Sequence, residues 1–396
     1  MKKILFAFIF TALTACATNK PAVESPASTD SAQSFAFSLF SAVNSSTKNV
    51  ENFCISPASA QWALAMTANG AKGTTAQEIY STLGYAYGAV ERTAFNTLQQ
   101  NNIETINNSR KAKVSVANSI WVNKKIKLKN SFIGKNTDFY NATVKNVTFD
   151  PATVKEINGW CSEKTEGKIK SILDEANPTT KLLLINALYF KAKWAHPFYK
   201  DATKDDTFTK ADGEKVTVPM MRQSRVTNYY EDSIMQATER VFEEGEYSML
   251  LILPRKWVSM QEAIDHIAKS YKNGLFNNSK SYFVHLSMPR FRTEFGTSLK
   301  PMLNAMGIND AFTPEADFSG ISDASLLIDD VIQKSYISVD EEGAEAAAVT
   351  AVQMRVAGLP REENKILTLD RPFIYAIKSK KTGEILFIGK VGNPQE

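Results

Sequence analysis

The chain has 396 residues, 43% of them hydrophobic and 22% charged, with a formal charge of +4 from 46 Lys+Arg against 42 Asp+Glu. That ordinary globular composition excludes a collagen, a coiled coil and a mostly disordered chain. No sustained basic run with interleaved aromatics occurs, so nucleic acid is not an expected partner. Three scattered histidines, His196, His266 and His285, argue against a multi-histidine metal site, and no metal or cofactor is expected.

Met1-Lys2-Lys3 opens the chain with positive charge, and Ile4 to Ala15 is an apolar run broken by Thr11 and Thr14. At about twelve residues it is too short to span a bilayer, which needs roughly 20, and has the form of an export signal. It ends in Leu13-Thr14-Ala15-Cys16, which resembles the lipobox of bacterial lipoproteins. That resemblance implies a signal peptide over residues 1–15, removed before a lipid is attached to Cys16. The exported protein would then be anchored to a bacterial membrane, at the outer membrane or cell surface. The alternative is a plain secretory signal whose cleavage happens to fall near a cysteine. Residues 16–30 are small and polar, with Pro21 and Pro26, and read as a flexible tether. Losing residues 1–15 removes Lys2 and Lys3 and brings the charge to about +2. Cys54 and Cys161 give no disulfide framework and read as small buried hydrophobes.

From Ser31 the spacing of Phe35, Phe37, Leu39, Phe40 and Val43 predicts a helix. Residues 52–57 predict a short strand, and Ser59 to Asn69 a buried helix. Gly70 to Thr75 then closes that helix and opens another, with Thr74 or Thr75 as its N-cap. Strands are predicted over 114–122, 181–190, 247–253 and 282–288. A closing hairpin joins 373–377 to 385–389 through Ser379-Lys380-Lys381-Thr382-Gly383. Helices dominate the first half and strands the second, which predicts an α+β fold. With no internal repeat and no linker, residues 31–396 form one domain.

Enzyme motifs are missing. There is no G-x-S-x-G elbow, no H-E-x-x-H and no dinucleotide fingerprint. Gly383 to Val391 has a phosphate-loop look, but five residues rather than four separate its glycines, Val391 stands where Ser or Thr is needed, and the spacer reads as a strand. Asp329 and Asp330 are neighbours on an extended chain and point to opposite faces, which argues against a joint acid–base role.

The positive signal lies in residues 341–360, Glu-Glu-Gly-Ala-Glu-Ala-Ala-Ala-Val-Thr-Ala-Val-Gln-Met-Arg-Val-Ala-Gly-Leu-Pro. Glu345 to Ala348 favours helix and Val349 to Val352 favours strand. Gly343 supplies a hinge, and Gly358 with Pro360 breaks regular structure. Composition alone leaves two readings open, an Ala-rich surface helix or a segment that is loop in one state and strand in another.

Glu341-Glu342-Gly343-Ala344-Glu345-Ala346-Ala347-Ala348-Val349-Thr350 resembles the proximal hinge of the serpins. The likeness continues in family order. Asn52-Phe53-Cys54-Ile55-Ser56-Pro57, Ala63 to Met66 and Gly70 to Gly73 are similar to the shutter strand and its helix. Ile157-Asn158-Gly159-Trp160 with Thr165 to Ile169 is similar to the helix lying over the main sheet. Leu184 to Trp194, Pro289-Arg290-Phe291, Leu303 to Phe312, Ala316 to Ser319, Arg371-Pro372-Phe373 and Gly389 to Pro394 complete it, so the resemblance spans about residues 31–394.

The resemblance implies three β-sheets, eight or nine helices and an exposed reactive-centre loop at about 341–365. It implies no enzyme. The expected activity is inhibition of extracellular serine proteases, with cysteine proteases as a further class. The loop is cut, an acyl-enzyme forms, and the loop enters the main sheet as a new strand. A covalent complex with the protease is therefore the expected partnership, and the free protein is expected as a monomer. The alternative is a non-inhibitory serpin that binds or stores.

Ala344, Ala346 and Ala348 alternate and would face inward, with Thr350 next in the set, and none obstructs insertion. The family's scissile residue lies fourteen places after the hinge glycine, which gives Ala357, with Gly358 beyond the cut. A small residue there suits elastase-like or subtilisin-like pockets. Arg355, with Val356 after it, is the trypsin-like alternative, and Met354 would draw chymotrypsin-like enzymes. The expected shutter residues are Ser56, Ser59, Asn186 and Gln333, the last in place of the family's usual histidine. Trp194 matches the breach at the top of the sheet. Lys124, Lys125, Lys127 and Lys129 read as a solvated strand end rather than a polyanion site.

Overall fold

The structure, a computed structural model, describes residues 27–88, 91–271, 274–276, 278–344 and 364–395. Helix α1 (Ala27–Ser46) begins inside the stretch that the sequence reads as a tether. Strand β1 (Phe53–Ile55) leads into α2 (Pro57–Ala68). Ser56 caps α2 by accepting from the Ser59 amide, Pro57 sits at the first position, and every residue of the helix is buried.

Helix α3 (Gly73–Thr82) follows, but neither Thr74 nor Thr75 caps it. Lys72 is the N-cap, without a side-chain bond. The Thr75 hydroxyl serves instead as acceptor for the Asp317 amide at 2.9 Å. Tertiary demand for that hydroxyl outweighs the local cap. Then come α4 (Arg92–Asn107), β2 (Lys113–Asn123), α5 (Asn130–Tyr140), β3 (Thr143–Val147), α6 (Pro151–Lys164) and β4 (Leu182–Lys193). The second half supplies β5 (Lys204–Thr209), β6 (Lys215–Glu231), β7 (Met235–Val241), β8 (Tyr247–Pro254), α7 (Met260–Ser270), β9 (Lys280–Pro289), β10 (Phe291–Ser298), α8 (Lys300–Ala305), β11 (Asp330–Val339), β12 (Gly343–Ala344), β13 (Asn364–Thr368), β14 (Phe373–Ser379) and β15 (Ile385–Val391).

Among the described residues there are eight α-helices, in an α+β arrangement. One sheet runs β10-β11-β12-β4-β2-β3, and the other runs β1-β15-β14-β8-β7-β6-β9-β13 with β5 on β6. The long strand β6 pairs with β5 and β9 through most of its length and with β7 at its end. It thereby joins into one ladder what is otherwise a second and a third sheet. The main core lies between the six-stranded sheet, α1, α2 and the strands from β7 to β15. On the sheet's other face α6 packs Ile157 and Cys161 over Trp121, Leu183, Ile185 and Ala187. Cys54 and Cys161 are free and buried, and burial pushes both thiols up to about 12. Asp329 and Asp330 do separate work: one accepts from the Lys181 and Leu182 amides, the other from Ser298.

Candidate functional site: the sheet opening and its hinge

Among the described residues, the central strands of the six-stranded sheet are paired over only part of their length. β4 and β11 run parallel and pair directly over six residues, from Leu183↔Asp330 to Leu188↔Ser335. Above that point no direct pairing joins them. At the top β12 lies between them, with Gly343↔Lys193 and Ala344↔Ala192 on one side and Val339↔Ala344 on the other, antiparallel to both. Gly343 and Ala344 are thus the last described residues of the chain before Asn364, and both lie in the sheet. Asn364 belongs to the other sheet, where β13 runs parallel to β9.

The turn that delivers β12 follows from Asp340. Its carboxylate accepts from the Glu342 and Gly343 amides at 2.8 and 3.2 Å, and its own amide donates to the Gly343 carbonyl at 3.0 Å. Burial pushes the Asp340 carboxyl up despite these donors. Only glycine fits at 343, because a Cβ there would lie 2.1 Å from the Ala192 carbonyl oxygen.

Glu341 is 2% exposed and is held by Arg290, with Nε at 2.8 and 2.9 Å and Nη2 at 2.6 Å, and by the Thr203 hydroxyl at 2.6 Å. Burial alone would raise this carboxyl, but the Arg290 and Thr203 bonds hold it below the usual carboxylate range. Glu342 pairs with Lys200 at 3.2 Å. Trp194 donates its backbone amide to the Glu342 carbonyl at 2.8 Å and its indole N–H to the Asp340 carbonyl at 3.0 Å. Its ring stacks on Phe242 at 4.4 Å, with Arg240 5.5 Å from its centroid. Trp194 is therefore a bracket for the hinge as well as a core aromatic.

Lower in the sheet, Gln333 and Asn186 are paired across the closed part of the ladder. The Gln333 amide grips both backbone groups of Ser56, accepting from its N–H and donating to its C=O, each at 2.8 Å. The glutamine thus ties β11 to the start of α2 with a neutral side chain. Asn186 donates instead to Asn118 of β2 at 2.9 Å. The Asn186 Oδ1 and the Ser59 hydroxyl are buried without a hydrogen-bond partner. The structure thus brings Ser56, Ser59 and Gln333 to one point, with Asn186 beside them on the ladder.

Of the residues singled out from sequence, Cys16, Glu345 to Thr350 and Arg355 to Gly358 lie outside the described residues. Lys124, Lys125 and Lys127 are exposed just past the end of β2, and Lys129 pairs with Asp323 at 2.5 Å. Sequence reasoning assigned no role to Arg290, Thr203, Asp340 or Asn118. The Asp340-x-x-Gly343 spacing is a turn signature that would have identified the first step of the hinge. Arg290 and Thr203 meet Glu341 only through the fold.

A family model described as serpin (serine protease inhibitor) matches residues 30–394. The leukocyte elastase inhibitor of Xenopus tropicalis is 35% identical over 373 residues, covering 91% of this chain and 97% of its own length. An uncharacterised serpin-like protein of Thermococcus kodakarensis is 36% identical over 369 residues, covering 92% of this chain and 85% of its own. The crystal structure of the thermophilic serpin tengpin in its native state superposes with a TM-score of 0.84 at 34% identity, covering 92% of this chain and 94% of that one. The match over nearly the whole length, with a hinge whose Gly343 and Ala344 pair between two strands of the main sheet, makes the chain a member of the serpin family.

Proposed function

We propose that this serpin inhibits extracellular serine proteases as a suicide substrate, and that a lipid on Cys16 holds it to a bacterial membrane. The observation that carries the reading is the register of β12. Continuing from Ala344, each further residue steps one place down β4 and one down β11. Residues 345–347 would pass between strand segments that are not paired to each other. Residue 348 would meet Leu188 and Ser335, the first pair that must part, and residue 350 would meet Asn186 and Gln333. The same register serves both neighbours, so the sheet needs only to separate.

The inward positions are then Ala344, Ala346, Ala348 and Thr350, opposite Ala192, Phe190, Leu188 and Asn186, all buried. Small side chains enter that core without steric resistance. Thr350 would bring a hydroxyl to Asn186, whose Oδ1 lacks a donor.

In the trapping step the protease serine oxygen bonds to the carbonyl carbon of Ala357 or Arg355. The amine of Gly358 or Val356 leaves with a proton, and an ester joins inhibitor to enzyme. Insertion then carries the enzyme away from its starting pole before water can cleave the ester. The relative named an elastase inhibitor supports the small-residue register at Ala357.

The test incubates the protein, expressed without residues 1–26, with pancreatic elastase, subtilisin or trypsin, followed by denaturing gels and mass analysis. A denaturation-resistant complex cut after Ala357 or Arg355 is expected. Clean cleavage by all three without complex contradicts inhibition. Cell fractionation tests the anchor: Cys16→Ala should move the protein from the membrane to the soluble fraction, and an unchanged distribution would exclude lipid attachment at that residue.

A further inference from the structure

The turn between β14 and β15 ends in a carboxylate that loop insertion does not use. Glu384 is 2% exposed and sits beneath α4 rather than in solvent. Its Oε1 accepts from Asn102 of α4 at 2.9 Å and from Gln61 of α2 at 3.3 Å. The same Gln61 amide also donates to Gln99 of α4 at 3.2 Å. Gln61 Oε1 and Gln99 Nε2 are left without partners, so this buried polar cluster is unevenly satisfied.

Among the described residues no cation acts on the Glu384 carboxyl. Lys381, on the same turn, is committed to Glu246 at 2.5 Å. From α1, Gln33 reaches the neighbouring Gly383 carbonyl at 2.9 Å. Tyr85, ahead of α4, faces the cluster and is itself pushed up to about 12 by burial, so it stays neutral. The carboxylate is thus surrounded by amides and a phenol on every packed element.

We propose that Glu384 is a proton-operated clamp on α4. Protonated, it lets α4 seat on the turn and on α2; ionised, it places an uncompensated charge under the helix and loosens it. Burial, opposed by the Asn102 and Gln61 bonds, pushes its carboxyl up to about 7, so the clamp responds close to neutrality. The rest of the α4 seat is polar too: Asn96 donates to Asn69 at 2.7 Å and accepts from Tyr140 at 2.7 Å. Helix α4 runs directly into β2, the strand beside β4. Loosening α4 therefore loosens the support of the sheet that has to open.

The direction of the effect is fixed by linkage. A carboxyl raised in the closed state binds its proton more tightly there, so closure is favoured at low pH and weakens as pH rises from about 4.5 to about 7. Amide hydrogen exchange on the full chain, corrected for intrinsic rates, reads this locally. Opening of α4 should be about tenfold greater at pH 8.5 than at pH 6. Glu384→Gln should abolish that change while α7 keeps its own profile. A flat profile for α4 in the natural protein overturns the proposal, and so does an equal rise across α4 and α7. If Glu384→Gln does not fold, these two outcomes in the natural protein still decide. If it folds and α4 opening keeps the tenfold rise, another group is responsible and the clamp is refuted.

Discussion

Replacing Arg290 with alanine leaves Glu341 as a carboxylate whose side chain is only 3% exposed. Three short charge-assisted contacts vanish, and the Thr203 hydroxyl and the local backbone remain. Breaking a fully buried ion pair costs about 3–5 kcal/mol. Here the guanidinium side is 46% exposed and Thr203 stays in place, so about 2 kcal/mol is the expected loss, roughly 30-fold in the equilibrium. The affected element is the turn that feeds β12 into the sheet, so the loss should appear in the first unfolding transition. Trp194, bonded to Asp340 and Glu342, makes its fluorescence a local probe of that transition in urea.

Two controls sharpen the test. Adding Glu341→Gln to Arg290→Ala removes the stranded charge and should recover more than half of the loss. The effect should also depend on pH. Glu341 is held below its ordinary value in the native state, so the ion pair stabilises fully above about pH 4.5 and its contribution disappears as pH falls through the native value. The gap between the natural protein and Arg290→Ala should therefore close toward pH 3. A loss under about 0.5 kcal/mol at pH 7, or a gap that does not change with pH, would refute the reasoning.

At the shutter, Gln333→Ala strands the Ser56 N–H in a buried site, while the Ser56 C=O keeps the Ala60 amide at 3.1 Å, and should cost about 2 kcal/mol in urea unfolding, with no dependence on pH between 5 and 8. A cost below about 1 kcal/mol would mean that Gln333 does not tie β11 to α2. In the hinge, Ala346→Arg would force a guanidinium between Phe190 and Ile337, which are 3% and 2% exposed. Burying that charge costs several kcal/mol, so insertion should stall and the protein should become a substrate, with cleaved product replacing complex on gels. Undiminished complex would show that position 346 does not enter the core.

The sequence was most informative where one side of the chain meets a single environment. The apolar run of β4 and the closing hairpin were legible because both are buried through nearly their whole length. Strand β11 was not, although its burial alternates strictly, because Gln333 and Ser335 take inward positions that hydrophobic strands give to apolar residues. Those polar residues sit in the closed pairs that must part for the sheet to open, which is why the local rule fails there. Strand β6 hid for another reason, since it changes partners along its length and its pattern serves two surfaces. The hinge glycine, the small residues and the shutter serines were legible through their resemblance to a family. Arg290, Thr203 and Asn118 were not, because each acquires its role from a residue far away in the chain.

The central claim is that the loop strand stabilises the sheet once it is cut. About nine residues, 345–353, would bond on both sides, at the expense of the six β4–β11 pairs now closed. The net gain is on the order of 10 kcal/mol, comparable to the whole stability of an ordinary domain. The decisive measurement is the thermal unfolding midpoint before and after the loop is nicked between residues 354 and 360 by a protease that escapes trapping, with mass analysis to place the cut. The midpoint should rise by roughly 20 °C. A nicked protein that unfolds at or below the original temperature would contradict insertion, and with it the inhibitory mechanism.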